Sequence, residues 1–288
     1  MPTAHGFSGR ARGAAGAFVS IERKSIRIDG GLEVPVLVSS QIPPSFRHGF
    51  TTRLGGTSLV PFDSLNLGWK WGDDPARVQE NQRRICEVAR TRALVRLSQV
   101  HGTRVVHVGH GDDLDRMRAS EGDGLCTDEA GLALSVHVAD CTPILMACTR
   151  TGACAALHAG WRGTVLGMAR IGVLRLRQEF GCRPEDLQVA LGPCIGRCCF
   201  EVGREVSEAF VQAMPDALLA GVVDTGLGSK PHVDLRRFQR LELEAAGVPP
   251  ENIDTSAACT MCDPEGRFFS YRKAGRATGQ SIGFIVRI

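Results

Sequence analysis

Hydrophobic residues recur near the middle of the chain in three short runs, and each run ends beside a residue that can do chemistry. The first run, residues 132–138, alternates apolar with small or polar residues and leads into Asp140 and Cys141. The second, residues 142–148, and the third, residues 153–157, are nearly continuous, and the third ends at His158. Runs of this length predict β-strands. Cys141 and His158 therefore lie at predicted strand ends, where functional residues concentrate.

Apolar residues at helical spacing predict helices on either side of these strands. One helix opens at Asp73-Asp74-Pro75, because aspartate suits the N-cap and proline the first turn, and its Asn81 is expected to face solvent. Another begins with Thr164 as its cap, directly after Gly160-Trp161-Arg162-Gly163. Free backbone N–H groups there, together with Arg162, predict an anion site. Since strands and helices alternate irregularly, we predict a mixed α/β (α+β) fold: a single compact domain of mixed β-sheet layers with helices packed outside.

Composition narrows the class of protein. The net charge of +3 over 288 residues is too small to indicate a nucleic-acid or membrane partner. Residues 1–17 lack the apolar segment of a signal peptide, so we expect a flexible leader over residues 1–20 and a catalytic domain over residues 21–288. An odd number of cysteines, 11, without an export signal predicts a cytoplasmic location and argues against a disulfide framework.

Two interpretations of the central residues compete. His101, Cys141 and His158 together form a candidate metal site, because two imidazoles and a thiolate suit zinc and are also accepted by copper. Three protein ligands leave the open fourth position that is typical of catalytic zinc. Alternatively, Cys141 and His158 act without a metal as a nucleophile and its base. The spacing alone does not separate these two hypotheses.

A second group of cysteines predicts a structural alternative. Cys259 and Cys262 have the spacing of a zinc knuckle, and the remaining ligands would come from Cys194, Cys198 or Cys199. Adjacent cysteines rarely both bind one ion, and free cysteine packs like a small hydrophobic residue. Ordinary core packing is therefore the favoured interpretation of these thiols.

Short motifs in a fixed order identify a family resemblance. They are TTRLGG (51–56), SLNLG (64–68), GDDPARVQEN (72–81), SQVHG (98–102), GDG (122–124), VADCTPIL (138–145), LHAGWRG (157–163), LGPCIGRCCFEVG (191–203), CT (259–260) and FFSYRKAGRATG (268–279). This order resembles the laccase-domain family over residues 45–288. Members of that family have been named multicopper polyphenol oxidases, peptidoglycan editing factors and purine nucleoside phosphorylases.

The resemblance implies a zinc-dependent purine nucleoside phosphorylase acting on adenosine, inosine, guanosine and methylthioadenosine, with adenosine deaminase activity. It implies one catalytic metal, zinc with copper as an alternative, on His101, Cys141 and His158. The expected partners are purine nucleosides and phosphate, and the expected state is a monomer or homodimer. We expect substrate or phosphate oxygens to be held by Arg53, Arg162, Arg272 and Asn81. We expect Asp140 to orient a metal ligand through a hydrogen bond.

Other classes of function stay open at this stage. A hydrolase that edits peptidoglycan precursors would cut an amide with Cys141 or zinc, and it would turn over without phosphate. A copper-dependent polyphenol oxidase is a weaker hypothesis, since a single metal lacks the cluster needed for four-electron reduction of oxygen. A non-enzymatic regulatory protein would hold a closed metal with four ligands. Three positions depart from the family pattern: Phe200 replaces a common tyrosine, and Lys273-Ala274 replaces a common Arg-Asp pair.

Overall fold

The computed structural model describes residues 21–288, so the leader predicted over residues 1–20 lies outside the described residues. The strands, in chain order, are β1 (Glu22–Arg27), β2 (Glu33–Val38), β3 (Phe46–Thr51), β4 (Leu94–Val95), β5 (Val105–His107), β6 (Gly124–Thr127), β7 (Ala133–Val138), β8 (Thr142–Cys148), β9 (Cys154–Ala159), β10 (Leu187–Leu191), β11 (Val223–Asp224), β12 (His232–Val233), β13 (Ile253–Thr255) and β14 (Ser281–Arg287). The α-helices are α1 (Pro75–Ala89), α2 (Leu114–Ala119), α3 (Trp161–Val165), α4 (Met168–Phe180), α5 (Arg204–Ala213), α6 (Leu235–Ala245) and α7 (Tyr271–Ala274). Within residues 21–288, no helix is long and apolar enough to span a membrane.

Two six-stranded mixed sheets form the framework. The first has the order β1-β2-β3-β14-β7-β4 and is antiparallel except for the parallel pair of β4 and β7. The second has the order β13-β10-β8-β9-β6-β5, with antiparallel pairs at its centre and a parallel pair at each edge. Strands β11 and β12 pair separately. The predicted mixed β-sheet layers are confirmed.

The two sheets pack face to face, and helices cover their outer faces. Leu134 of β7 and Leu145 of β8 belong to one buried cluster between the sheets. On the outer face of the second sheet, Met146 packs with Leu176 of α4, whereas Ile85 of α1 belongs to the cluster outside the first sheet. Strand β8 is thus buried on both faces, which explains why its sequence is a continuous apolar run. The predicted α/β class with helices outside is confirmed.

The helix boundaries confirm one expectation and correct two. Helix α1 begins at Pro75 with the Asp74 side chain as its N-cap, as predicted. Asn81 was expected to face solvent, but it is fully buried. Thr164 does not cap a helix: α3 begins earlier, after Gly160, and the Thr164 hydroxyl lies inside it, where it accepts a 2.8 Å hydrogen bond from Gln239.

Candidate metal centre and its cavity

Three chain segments bring His101, Cys141 and His158 together. His101 lies in the loop between β4 and β5, Cys141 directly precedes β8, and His158 lies near the end of β9. Their ligand atoms all lie within 4.8 Å of one another, and the two imidazole rings meet edge to face with centroids 4.9 Å apart. His158 is buried, Cys141 half-buried and His101 exposed. The trio therefore opens to solvent on the side of His101.

Local backbone conformation makes this close approach possible. His101 and Asp140 adopt left-handed conformations, with φ of 61° and 87°, which non-glycine residues seldom adopt. Such strained residues concentrate at functional sites. At Gly160, a Cβ atom would lie 2.8 Å from Cδ2 of His101 and 3.1 Å from Sγ of Cys141. The glycine of the HAGWRG motif is therefore needed for the trio to assemble.

A buried carboxylate, Asp123, holds the two histidines in place. Its Oδ1 atom lies 2.8 Å from Nδ1 of His158 and also accepts the backbone N–H of His101 at 2.9 Å. Its Oδ2 atom accepts the backbone N–H of Gly102 at 2.7 Å, and its carbonyl oxygen accepts the N–H of His158 at 2.7 Å. In metal sites, a histidine ligand typically forms a hydrogen bond to a carboxylate through the ring nitrogen that does not bind the metal.

The charges within the trio support one another. Burial alone would raise the pKa of Cys141, but His158 and His101 outweigh it and lower the pKa to about 6. Burial would lower the pKa of His158, but Cys141 and Asp123 raise it to about 9. Burial would also raise the pKa of Asp123, yet its bonds to His158, Gly102 and Val100 lower it overall. Without a metal, Cys141 is therefore a thiolate at neutral pH, which is the form that binds metals.

The trio opens into a cavity of about 540 Å³. Ligand-binding pockets are commonly of this size. Its lining includes four aromatic side chains, namely Trp69, Trp71, Phe200 and Tyr271. The chain has only three tryptophans and one tyrosine, so most of those residues are concentrated at one place. The rings of Trp71 and Tyr271 lie 5.6 Å apart. The cavity thus offers flat apolar surfaces beside the candidate metal site.

The same lining is strongly basic. It contains Lys70, Arg96, Arg118, Arg272 and Arg276. Asp140 is its one acidic member among the described residues, and that carboxylate is already hydrogen-bonded. The pKa of Arg96 is lowered, first by burial and then by the neighbouring charge of Arg118. A bound anion would relieve this repulsion.

Three of the residues expected to hold substrate lie outside the cavity lining. Arg53 contacts Asp63 twice. Its Nε atom donates a 2.7 Å hydrogen bond to the backbone carbonyl oxygen of Asp63, and its Nη2 atom forms a 2.9 Å ion pair with the Asp63 carboxylate. Arg162 is exposed and stacks on Trp161, with its Cζ atom 4.4 Å from the ring centroid. Asn81 is buried and occupied by partners in the loop of residues 57–66. Each side chain already has a structural partner elsewhere.

The other expected residues do lie in the cavity lining, with different contacts. Asp140 does not orient a histidine: it accepts 2.6 Å hydrogen bonds from the Thr260 hydroxyl and the Arg272 backbone N–H. It therefore shapes the chain around Arg272 instead. Arg272 lines the cavity, and its side chain donates to the carbonyl oxygen of Glu201 at 2.8 Å.

Sequence reasoning missed several residues of this site. Asp123 belongs to the GDG motif, to which the sequence assigned no chemical role, and its position directly before the buried strand β6 was the available signal. Arg96, Arg118 and the tryptophans carry no local motif. They meet only because distant segments fold onto the same cavity.

Comparisons with known proteins agree with this architecture. Residues 47–288 match the family described as multi-copper polyphenol oxidoreductase laccase. The chain is 37% identical over 262 residues to the human protein named purine nucleoside phosphorylase LACC1, covering 88% of this chain and 58% of the human one. It is 39% identical to purine nucleoside phosphorylase YlmD of Geobacillus stearothermophilus, covering 83% of this chain and 89% of that protein.

Solved structures show the same fold. The crystal structure of YlmD from Geobacillus stearothermophilus has a TM-score of 0.82 at 34% identity and covers 93% of this chain and 99% of that one. The crystal structure of the Bacillus licheniformis hypothetical protein YfiH has a TM-score of 0.81 at 30% identity, covering 88% and 96% of the two chains. The chain spans a little over half the length of the human relative and most of the bacterial ones.

Proposed function

The chain belongs to the multi-copper polyphenol oxidoreductase laccase family, and from that premise we propose that it is a zinc-dependent purine nucleoside phosphorylase. The observation that carries the proposal is the single cavity in which a metal-ligand trio, aromatic surfaces and a cluster of cationic side chains meet. Phosphorolysis needs an anion site, a purine site and electrostatic stabilisation at one place. Relatives named purine nucleoside phosphorylases in human and bacteria support this choice of reaction.

Phosphate, in this proposal, binds at Arg96 and Arg118, and Arg276 is a further cation of the same cavity lining. All three line the cavity, and Arg96 makes no hydrogen bond or ion pair to another side chain within residues 21–288. Arginine recognises phosphate through paired N–H groups, so a half-buried arginine without a protein partner is well suited to an anion. Arg118 already pairs with Asp115 at 2.6 Å, which leaves part of its guanidinium group for phosphate.

The purine binds, in this proposal, against the aromatic rim. Trp71 and Tyr271 form adjacent flat surfaces, and Tyr271 is half exposed at the mouth of the cavity. Stacking of a base on an aromatic ring contributes about 1–3 kcal/mol. The attacking phosphate oxygen forms a bond to C1′ of the ribose while the bond to the purine breaks, and the products are ribose 1-phosphate and the free base.

The donor set of His101, Cys141 and His158 fits zinc, and its three ligands leave room for one further group. A zinc ion held there would act as a Lewis acid toward substrate oxygen or nitrogen, or would lower the pKa of water. Asp123 holds Nδ1 of His158 through a hydrogen bond, and the other ring nitrogen, Nε2, is therefore directed toward Cys141. His137, whose pKa burial lowers to about 3, stays neutral and adds no charge to the cavity.

Adenosine deamination is a second candidate activity of the same cavity. The observation that favours it is the position of the open trio beside the aromatic surfaces, where a purine C6 would come close to activated water. In that reaction water replaces the amino group and ammonia leaves.

We also assign the protein to the cytoplasm, because its eleven cysteines are all free thiols.

The deciding experiment incubates metal-quantified protein with adenosine, with and without phosphate, and separates the products by chromatography. Adenine and ribose 1-phosphate formed only with phosphate are the expected result, and inosine would report deamination. The matched control is Cys141→Ala, which removes the thiolate ligand and should abolish the turnover. Amide cleavage of a peptidoglycan precursor without phosphate, and no nucleoside turnover by the zinc-loaded protein, would replace the proposal with a hydrolase.

A further inference from the structure

Four cysteine thiols lie together at a second place, outside the cavity lining. They are Cys198, Cys199, Cys259 and Cys262, and their sulfur atoms all lie within 4.8 Å of one another. We propose that these four residues, the four-cysteine cluster, bind a structural zinc ion separate from the His101, Cys141 and His158 site. The sequence alone favoured core packing, but Cys198 and Cys262 are exposed, so core packing does not account for these two thiols.

The geometry of the cluster suits tetrahedral coordination. Zinc–sulfur bonds of about 2.3 Å place the sulfur atoms of four ligands roughly 3.8 Å apart. Sγ of Cys198 and Sγ of Cys262 are 3.5 Å apart, and the remaining pairs lie within 4.8 Å. No pair of sulfur atoms therefore exceeds the tetrahedral spacing by more than about 1 Å. Four soft thiolate donors select zinc over hard cations such as magnesium or calcium.

The backbone around Cys259 is prepared for a thiolate. Its Sγ atom accepts the N–H of Gly196 at 3.2 Å. The backbone N–H groups of Cys262 and Met261 also point at this sulfur atom. Successive N–H groups that point at the first sulfur of a Cys-x-x-Cys turn are what a zinc knuckle requires, because they stabilise the ligand charge.

A tight turn solves the problem that adjacent cysteines pose. The backbone N–H groups of Cys199 and Phe200 both donate to the carbonyl oxygen of Gly196 at 2.9 Å. This turn brings the thiols of Cys198 and Cys199 to the same side as Cys259. A Cβ atom on Gly196 would lie 3.2 Å from Sγ of Cys198, so glycine leaves the room that the cluster needs.

A zinc ion at this cluster would fasten one wall of the cavity. The segment that carries Cys198 and Cys199 also contributes Ile195 and Phe200 to the cavity lining. Residues 194 and 259 are already joined by a β-bridge, so the two segments run side by side. The ion would thus tie the two segments together beside the buried cluster that already holds Ile195, Phe200 and Cys259.

The first test counts zinc in five proteins: wild type, Cys141→Ala, the double variant Cys259→Ser with Cys262→Ser, the combined triple variant, and the control Cys86→Ser. We expect the double substitution to remove one zinc per chain in both backgrounds, whereas Cys86→Ser, a half-buried thiol on α1, removes none. Equal zinc content in Cys141→Ala and in the triple variant would overturn the proposal. This comparison stands whether or not the protein is a phosphorylase.

A second test uses the intact chain and does not depend on the variants folding. The protein is alkylated with iodoacetamide after zinc loading and, separately, after treatment with a chelator, and the modified cysteines are identified by mass spectrometry. We expect zinc to slow modification of all four cluster cysteines at least tenfold, while Cys86 reacts alike in both samples. Equal modification of the cluster in both samples, or a disulfide between Cys198 and Cys262, would contradict the zinc site.

Discussion

Asp123 and His158 form the buried hydrogen bond around which the candidate metal site is built. Oδ1 of Asp123 lies 2.8 Å from Nδ1 of His158, and neither side chain is more than 3% exposed. With Nδ1 bound to the carboxylate, the Nε2 atom of His158 is left to face Cys141 and a metal. This hydrogen bond fixes both the tautomer and the orientation of the His158 ring. No local pattern in the sequence predicts that these two residues pair.

Replacing Asp123 with asparagine should weaken metal binding although every ligand is retained. The amide carries no charge, and its NH2 group would face the backbone N–H groups of His101 or Gly102 that the carboxylate now accepts. We expect a loss of about 10–100-fold in zinc affinity, measured by competition with a chromophoric chelator. Asp216→Asn, at an exposed position, is the matched control. Unchanged zinc affinity in Asp123→Asn would show that the hydrogen bond does not orient the ligand.

The position of the anion site can be decided between two arginines. Arg96 lines the cavity, whereas Arg162 is exposed outside the lining near the start of α3. We expect Arg96→Gln to raise the KM for phosphate roughly 10- to 150-fold, since a hydrogen bond to a charged group contributes about 1.5–3 kcal/mol. The KM for nucleoside should change much less. Initial rates at varied phosphate, with saturating nucleoside, measure the effect.

Arg162→Gln serves as the comparison variant for that measurement. Its KM for phosphate should stay within about twofold of wild type, because Arg162 stacks on Trp161 and does not line the cavity. The opposite pattern, a large rise for Arg162→Gln and none for Arg96→Gln, would place phosphate at the start of α3. That is where the sequence motif alone had predicted an anion site.

The thiol of Cys141 should titrate far below an ordinary cysteine in the metal-free protein. His158 and His101 lower its pKa to about 6 against the effect of burial, so the reactive thiolate forms as the pH rises through 6. Burial raises the pKa of Cys86, so that thiol should react only at higher pH. The pH dependence of alkylation, resolved by mass spectrometry, measures both residues. If the alkylation of Cys141 had its midpoint at or above the pH found for Cys86, the two histidines would not stabilise the Cys141 thiolate.

The strands and the metal-ligand candidates could be predicted from sequence because their signals are local. Cys141 ends one apolar run and His158 another, and β8 and β9 then pair so that Pro143 lies opposite His158. Because β8 and β9 are antiparallel, the start of β8 lies beside the end of β9, and Cys141 and His158 therefore lie at the same end of the strand pair. His101 joins them from the separate loop between β4 and β5, where the neighbouring Gly102 is the one local feature that suits the end of a strand.

The walls of the cavity could not be predicted in this way. Arg96 lies just after β4, and Tyr271 is the first residue of α7. Both line the same cavity because β7 pairs with both β4 and β14. Such long-range pairing leaves no periodicity within a short window of sequence. Exposed arginines are also frequent in this chain, so residue type alone did not separate Arg96 from Arg53 or Arg162.

Asn81 illustrates how a residue can match a family motif for structural reasons. Its Oδ1 atom accepts the N–H of Thr57 at 2.8 Å, and its Nδ2 atom donates to the Ser58 hydroxyl at 2.9 Å and the carbonyl oxygens of Ser64 and Asn66 at 3.1 and 2.9 Å. A fully buried amide with all of these partners fixes the loop of residues 57–66 against α1.

Asn81→Ala should therefore destabilise the fold instead of removing a substrate contact. It leaves buried backbone groups without partners, at about 1–3 kcal/mol for each unsatisfied group, so we expect a clearly lower midpoint in urea unfolding. Asn252→Ala is the control, because that amide makes one exposed hydrogen bond of 3.2 Å. At a temperature where Asn81→Ala is folded, its KM values should match wild type. A wild-type unfolding midpoint with a large rise in KM would instead return Asn81 to the substrate site.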